Sequence, residues 1–63
     1  MIMKLLRELQ AGDKFRYAEN SNGGVYVRGC KVGGSHDLYY IHSTVIGYIY
    51  MGQGSDNVIV VEE

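Results

Sequence analysis

Apolar and polar residues alternate in short runs along this 63-residue chain, and turns rich in glycine, asparagine and serine separate the runs. A period of two is typical of half-buried β-strands, because successive side chains point to opposite faces of a sheet. The pattern predicts five strands, at 13–18, 25–32, 38–41, 44–51 and 57–62. We therefore expect a mainly β domain: a small five-stranded antiparallel SH3-like barrel or bent sheet.

The start of the chain has a different pattern. Residues 3–10 are rich in helix formers, and Leu5, Leu6 and Leu9 fall on one helical face. We predict one or two helical turns over an open end of the barrel, ended by Gly12 in a left-handed turn.

Glycines inside two of the predicted strands mark changes of direction. Gly29 in the second strand and Gly47 in the fourth are expected at a bulge or a bend. Such bends let a short strand turn the corner of a small barrel.

The length predicts a single domain, residues 1–63, near the lower size limit for a stable core. The single cysteine, Cys30, cannot form an intramolecular disulfide. With His36 and His42 it gives too few soft ligands for a closed zinc site, so we expect no metal and no cofactor. A well-closed barrel or self-association remains as the source of stability, and we predict a homo-oligomer.

Charge and hydropathy bear on where the protein is located and on what it could bind. The first ten residues carry charged side chains and lack the apolar core of a secretory signal, and nothing approaches the roughly 20 apolar residues of a membrane span. We therefore predict a cytoplasmic protein with no membrane contact. The net charge of −1 gives no general attraction to nucleic acid, although all six basic residues precede position 32. That asymmetry indicates either a polar dimer or basic patch, or simply mixed surface charge once the halves interleave.

Catalytic chemistry has little support in this sequence. The nucleophiles and acid–base groups that could serve lack an activating neighbour: Cys30, His36, Asp37, His42 and Ser43. We interpret Cys30 as a buried structural thiol. The glycine-rich turns at 23–24 and 33–35 could form an anion nest but lack the helix and lysine of a P-loop. We predict that the protein is not an enzyme.

The run 44–51 is apolar on both faces, with Ile46, Tyr48 and Tyr50 on one and Val45, Ile49 and Met51 on the other. In a monomer of this size one face would be exposed, which indicates an interface. The alternative is a strand covered on both sides by the leader helix and the core. The last strand repeats the pattern. The predicted protein-interface residues are Ile46, Tyr48, Tyr50, Ile59 and Val61.

A second hypothesis is a nucleic-acid or nucleotide binder, including one that sequesters a ligand between subunits. Tyr26 and Arg28 share a strand face, and aromatic rings flanked by cations bind single strands. Arg16 and Lys31 complete this candidate group. Against it, the second half of the chain supplies only carboxylates as charged groups.

The layout of the chain resembles that of very small phage-encoded accessory β-barrel proteins. The matching stretches are Gly-Asp-Lys-Phe at 12–15, Val-Tyr-Val-Arg at 25–28 and Val-Ile-Val-Val-Glu at 58–62. The resemblance implies a protein that acts by binding a host protein, as an inhibitor or anti-defence protein in the host cytoplasm. It carries over no catalytic residue.

Overall fold

The computed structural model describes residues 2–45 and 47–61. Six antiparallel strands form one sheet. The strands are β1 (Ile2–Leu5), β2 (Lys14–Tyr17), β3 (Tyr26–Lys31), β4 (Leu38–Ser43), β5 (Ile49–Gln53) and β6 (Asn57–Val60). Two 3₁₀ turns, Leu6–Glu8 and Ala18–Asn20, complete the regular structure of the described residues. The prediction of a mainly β, antiparallel domain is confirmed.

The strand order across the sheet is β1-β6-β2-β3-β4-β5. Strands β2 to β5 form a meander in which each pairs with the next, and β6 returns to pair with β2. β1 lies outside β6, so β1 and β5 are the two edge strands. Within the described ranges the edges do not pair with each other, and the predicted barrel is not closed. The pattern also missed one strand, since it predicted five.

The sheet curls so that the segment after one edge strand meets the turn after the other. The N–H of Leu6 donates to the carbonyl of Asp56 at 2.9 Å, and the N–H of Arg7 donates to that of Gly54 at 3.0 Å. The Arg7 guanidinium also pairs with the Asp37 carboxylate at 2.7 Å. These contacts close one end of the curl without joining the two edges.

The core lies on the concave face of this curl. Its members are the described apolar side chains with at most 5% exposure: Leu6, Leu9, Phe15, Ile41 and Val58. Leu6 begins the first 3₁₀ turn and Leu9 follows it, and both are buried, whereas Leu5, the third leucine of the predicted helical face, ends β1 and is only partly buried. Removal of the core side chains from water is the main source of stability in so short a chain.

The predicted N-terminal helix is replaced by β1 and a single 3₁₀ turn. An isolated helix of about eight residues is marginal in water, whereas Ile2–Leu5 pairs along the whole of β6. The Glu8 carboxylate then accepts the N–H of Leu5 at 2.7 Å at the start of the turn. Gly12 has φ +97°, which confirms the predicted left-handed turn.

Gly29 lies in a bulge of β3, as predicted. Arg28 faces Ile41 across the ladder while Lys31 faces Tyr39, so β3 contains one residue more than β4 between these two pairs. A Cβ at Gly29 would lie 3.0 Å from Nε2 of His42, which shows how closely β4 approaches here. The bulge bends β3 around the core.

The predicted strand 44–51 is wrong, because Thr44 and Val45 lie in a turn and Gly47 and Tyr48 lie outside any strand. β4 continues to Ser43, and β5 begins only at Ile49 and extends to Gln53, two residues beyond the predicted strand end. Both the hydroxyl and the N–H of Thr44 donate to the carbonyl of Val25, at 2.7 Å and 3.3 Å, and hold the start of the turn beside β3. Gly47, with φ +72°, follows this turn rather than forming a bend within a strand.

Candidate functional site

Edge strand β5 and the residue before it carry the longest run of exposed large apolar side chains in the described part of the chain. Tyr48 is 64% exposed, Ile49 61%, Tyr50 44% and Met51 63%. None of these residues carries a charge. We call Tyr48, Ile49, Tyr50 and Met51 the β5 surface.

Both faces of β5 contribute to this surface. Tyr50 lies opposite the fully buried Ile41 and therefore points to the core side of the sheet. Ile49 and Met51 alternate with Tyr50 and point to the other side, opposite His42 and Tyr40. An edge strand with apolar side chains on both faces is unusual in a solvated monomer, and it is typical of a strand that a partner covers.

A row of aromatic rings leads from the core to the β5 surface. The Phe15 and Tyr26 centroids are 5.8 Å apart in a stacked arrangement, and Tyr26 meets Tyr50 edge-on at 6.4 Å. Tyr50 in turn meets Tyr48 edge-on at 6.4 Å. These spacings lie in the favourable range for aromatic pairs. Tyr50 therefore packs against the partly buried ring of Tyr26, and Tyr48 packs against Tyr50.

Tyr17 supports the middle of this row. Its ring lies 5.4 Å from that of Phe15 and 5.3 Å from that of Tyr26. A cavity of about 220 Å³ lies between Tyr17, Tyr26, Ile41 and Tyr50. The four side chains give it mainly apolar walls that are already in place before any partner binds.

Burial raises the pKa of the Tyr17 phenol to about 12, and the nearby Asp56 and Tyr26 add to the shift. The cause is the loss of water around a group that would have to become charged. Tyr17 therefore stays a neutral phenol throughout the physiological range, which suits an apolar wall.

Of the five predicted interface residues, the four that the structure describes do not form one surface. Tyr48 and Tyr50 share a face in contact, as predicted. Ile59 and Val61 are half-buried and belong to β6 and its continuation, which three strands separate from β5. Ile46 lies outside the described residues. Ile49 and Met51 lie beside the two tyrosines, although the predicted interface did not include them. The apolar character of both faces of the run 44–51 was the sequence feature that could have identified them.

The predicted nucleic-acid group is divided between the two faces of the sheet. Tyr26 points to the core side, and the Arg28 guanidinium lies 4.1 Å from the centroid of the Tyr39 ring. Arg16 alternates with the buried Phe15 and points to the other face, where it donates to the carbonyl of Gly23. Lys31 is exposed beyond the bulge. The four residues therefore do not form one continuous surface along which a nucleic-acid strand could bind.

Cys30 is exposed, so the expectation of a buried thiol is wrong. It lies in the β3 bulge, where the strand departs from regular alternation. The carboxylate of Asp37, the residue after His36, forms an ion pair with the Arg7 guanidinium. In the described part of the chain no three of the His, Cys, Asp and Glu side chains come together as metal ligands.

The glycine-rich turn at 33–35 is accounted for by its own hydrogen bonds. Gly34 has φ +78°, and Ser35 Oγ donates to the carbonyl of Val32 at 2.6 Å. This is turn chemistry, and no ligand is needed to explain it.

Within the described ranges, no helix has the length and apolar character needed to cross a membrane. Comparison with known proteins found no matching family model, no matching curated protein and no matching solved structure.

Proposed function

We propose that this chain is a non-catalytic binding protein that docks a protein partner through the β5 surface. The resemblance to phage accessory proteins gives the concrete form: a host-directed inhibitor or anti-defence protein that acts in the cytoplasm of the host cell. The observation that carries the proposal is the exposed, uncharged edge strand with apolar side chains on both faces.

A protein partner suits the backbone of β5 as well as its side chains. An open edge strand offers unpaired N–H and C=O groups, and an extended segment of a partner can add to the sheet there. Apolar side chains on both faces then supply the buried area that holds the added segment. The aromatic row behind Tyr50 keeps the surface in one conformation, which lowers the entropic cost of binding.

The charge of this region favours protein over nucleic acid. Residues 38–55 contain no aspartate, glutamate, lysine or arginine. The centres of protein interfaces are depleted of charged residues, whereas binding to nucleic acid depends on cations that neutralise phosphates. The β5 surface has the first property and lacks the second.

The test is affinity capture from host lysate with three immobilised proteins: wild type, Met51→Lys and Met3→Lys. Met51 and Met3 are 63% and 57% exposed and lie on opposite edge strands, so the two substitutions add the same charge to equivalent positions. We expect the wild type and Met3→Lys to retain the same protein, and Met51→Lys to lose it, because a desolvated lysine at an interface is costly.

Circular dichroism and thermal unfolding of both variants control for folding. Loss of capture in both variants, or retention in both, contradicts docking through β5. Retention of nucleic acid that falls steeply with salt would support the second hypothesis instead.

A further inference from the structure

The hydrogen-bonding pattern of β5 shows which backbone groups face its open edge. The N–H of Ser43 donates to the carbonyl of Tyr48 at 2.9 Å, and the N–H of Gly54 donates to that of Asp37 at 2.7 Å. In an antiparallel ladder these two bonds direct the N–H and C=O groups of Tyr50 and Gly52 toward β4. Those of Ile49, Met51 and Gln53 therefore point off the edge.

Gln53 is already occupied by the turn that follows it. Its N–H donates to the Asp56 carboxylate at 3.1 Å, and its carbonyl accepts the N–H of Asp56 at 3.0 Å. Ile49 and Met51 remain, each with one donor and one acceptor directed at the open edge, on either side of Tyr50.

We propose that the partner at this edge is a second copy of the chain, paired β5 to β5 in antiparallel orientation about a twofold axis that passes by Tyr50. This inference rests on the proposed function of the β5 surface: the second copy occupies the open edge in the absence of a host protein, and a host protein docks there in its place. In this register Ile49 lies opposite Met51 of the second copy, and Met51 opposite Ile49. All four outward donors and all four acceptors of the two copies are then used in four backbone hydrogen bonds.

Two features favour a second copy over another protein. Two residues two positions apart, each offering one donor and one acceptor, are complementary to themselves under a twofold rotation. The uncharged stretch 38–55 also lets two identical surfaces meet without repulsion between like charges. The other edge strand, β1, carries Lys4, and a lysine on an edge disfavours such pairing.

The same register places an exposed ring beside an open hollow. Tyr48 of one copy lies opposite Gly52 of the other, and Gly52 has no side chain to pair with it. An open hollow of about 480 Å³ adjoins Gly52 and is lined by Tyr17, Glu19, Asn20, Met51, Gln53 and Asp56. The polar groups in the lining suit the tip of a tyrosine.

Disulfide trapping tests the register. In a Cys30→Ser background, Tyr50→Cys faces itself across the axis, with Cα atoms about 4.5 Å apart, within the range that a disulfide spans. Met51→Cys would lie diagonally from itself, at about 7–8 Å, which is too far. We expect mild oxidation to give a covalent dimer of twice 7.0 kDa for Tyr50→Cys and not for Met51→Cys.

A mixed experiment serves if Tyr50→Cys fails to fold. The two exposed positions Ile49→Cys and Met51→Cys, each in the Cys30→Ser background, should cross-link with each other and neither with itself. Equal cross-linking of all combinations, or none, overturns the register.

Tyr48→Ala tests the hollow, with Val45→Ala as the control because Val45 is exposed but lies in the hairpin turn. We expect Tyr48→Ala to weaken dimerisation by roughly tenfold or more and Val45→Ala by less than about twofold. Equal effects would contradict the hollow as the site for Tyr48.

This inference and the proposed function fail separately. A chain that remains monomeric yet captures a host protein through Met51 overturns the dimer and keeps the docking surface. A dimer that Met51→Lys leaves intact, with capture also unchanged, overturns both.

Discussion

Gly52 lies on the core face of β5, where a methyl group has no room. A Cβ at this position would overlap the side chain of Ile41 and lie 3.0 Å from the Tyr17 hydroxyl and 3.1 Å from a methyl carbon of Leu6. The absence of a side chain therefore lets the edge strand pack directly onto the core.

We expect Gly52→Ala to lower the free energy of unfolding by about 1–3 kcal/mol, since overpacking displaces the core. Gly24→Ala is the control, because a Cβ there meets nothing within 4 Å and its φ is not positive. Urea denaturation of both variants gives the comparison. Equal stability of the two variants would show that the core has room at Gly52.

Tyr17 should give the protein a distinct alkaline behaviour. Its pKa is raised from 10 to about 12 in the folded chain, so the folded state holds the phenol proton more tightly than the unfolded state does. The resulting stabilisation is complete below pH 10 and is lost as the pH rises toward 12. Phenylalanine at position 17 cannot ionise, so Tyr17→Phe should not show the loss of stability that ionisation of Tyr17 causes between pH 10 and pH 12.

The measurement is the urea midpoint of the wild type and Tyr17→Phe at several pH values across that window. The midpoint of the wild type should fall more steeply than that of the variant. Parallel curves would mean that Tyr17 ionises alike in the folded and unfolded states.

At the scale of the elements, β5 has one set of amides bonded to β4 and another directed at the open edge. We expect hydrogen exchange of the Ile49 and Met51 amides to slow as protein concentration rises, because the second copy covers them. Tyr50 and Gly52 should stay protected at all concentrations. Met3, whose N–H points off the edge of β1, is the internal control.

The amide exchange rates are measured by NMR at two widely different protein concentrations. Concentration dependence at Met3 equal to that at Met51 would indicate association elsewhere on the molecule. Exchange at Ile49 and Met51 that does not change with concentration would contradict pairing through β5.

The sequence predicts these elements unevenly. Alternation gives β2, β3 and β6 within about two residues, and Gly29 identifies the bulge. The stretch 44–51 misleads because its residues favour strand throughout, while Thr44 at the start of the turn bonds to Val25, a residue far away in the chain that a local pattern does not include. β1 is missed for the same reason: it overlaps the stretch 3–10, whose leucine spacing suits a short helix, and only the ladder with β6 makes it a strand.

The candidate site was predicted in part. The Tyr48–Tyr50 pair follows from the spacing of two residues, and the apolar character of both faces indicates an interface. That Tyr26 joins the aromatic row while Ile59 and Val61 lie elsewhere depends on the strand order, which a period of two does not encode. The direction of the free backbone groups likewise depends on which pairs of the β4–β5 ladder are hydrogen-bonded.

For the molecule as a whole, both the small size and the exposed apolar edge favour self-association. A chain of 63 residues, with five side chains in its described core, has little stability to spare. Pairing through β5 would join two six-stranded sheets into one and remove an exposed apolar edge from water. Folding and association are then linked, and the stability of the protein rises with its concentration.

Sedimentation equilibrium of the wild type, Met51→Ala and Met51→Pro tests the central claim most directly. The Met51 N–H points off the edge, so proline removes a bond to the second copy and none to β4, whereas alanine keeps that N–H. We expect wild type to sediment as a dimer, Met51→Ala to remain associated, and Met51→Pro to fall to the monomer mass of 7.0 kDa while staying folded. A wild type at that mass, or a folded Met51→Pro dimer as tight as the wild type, would contradict the account.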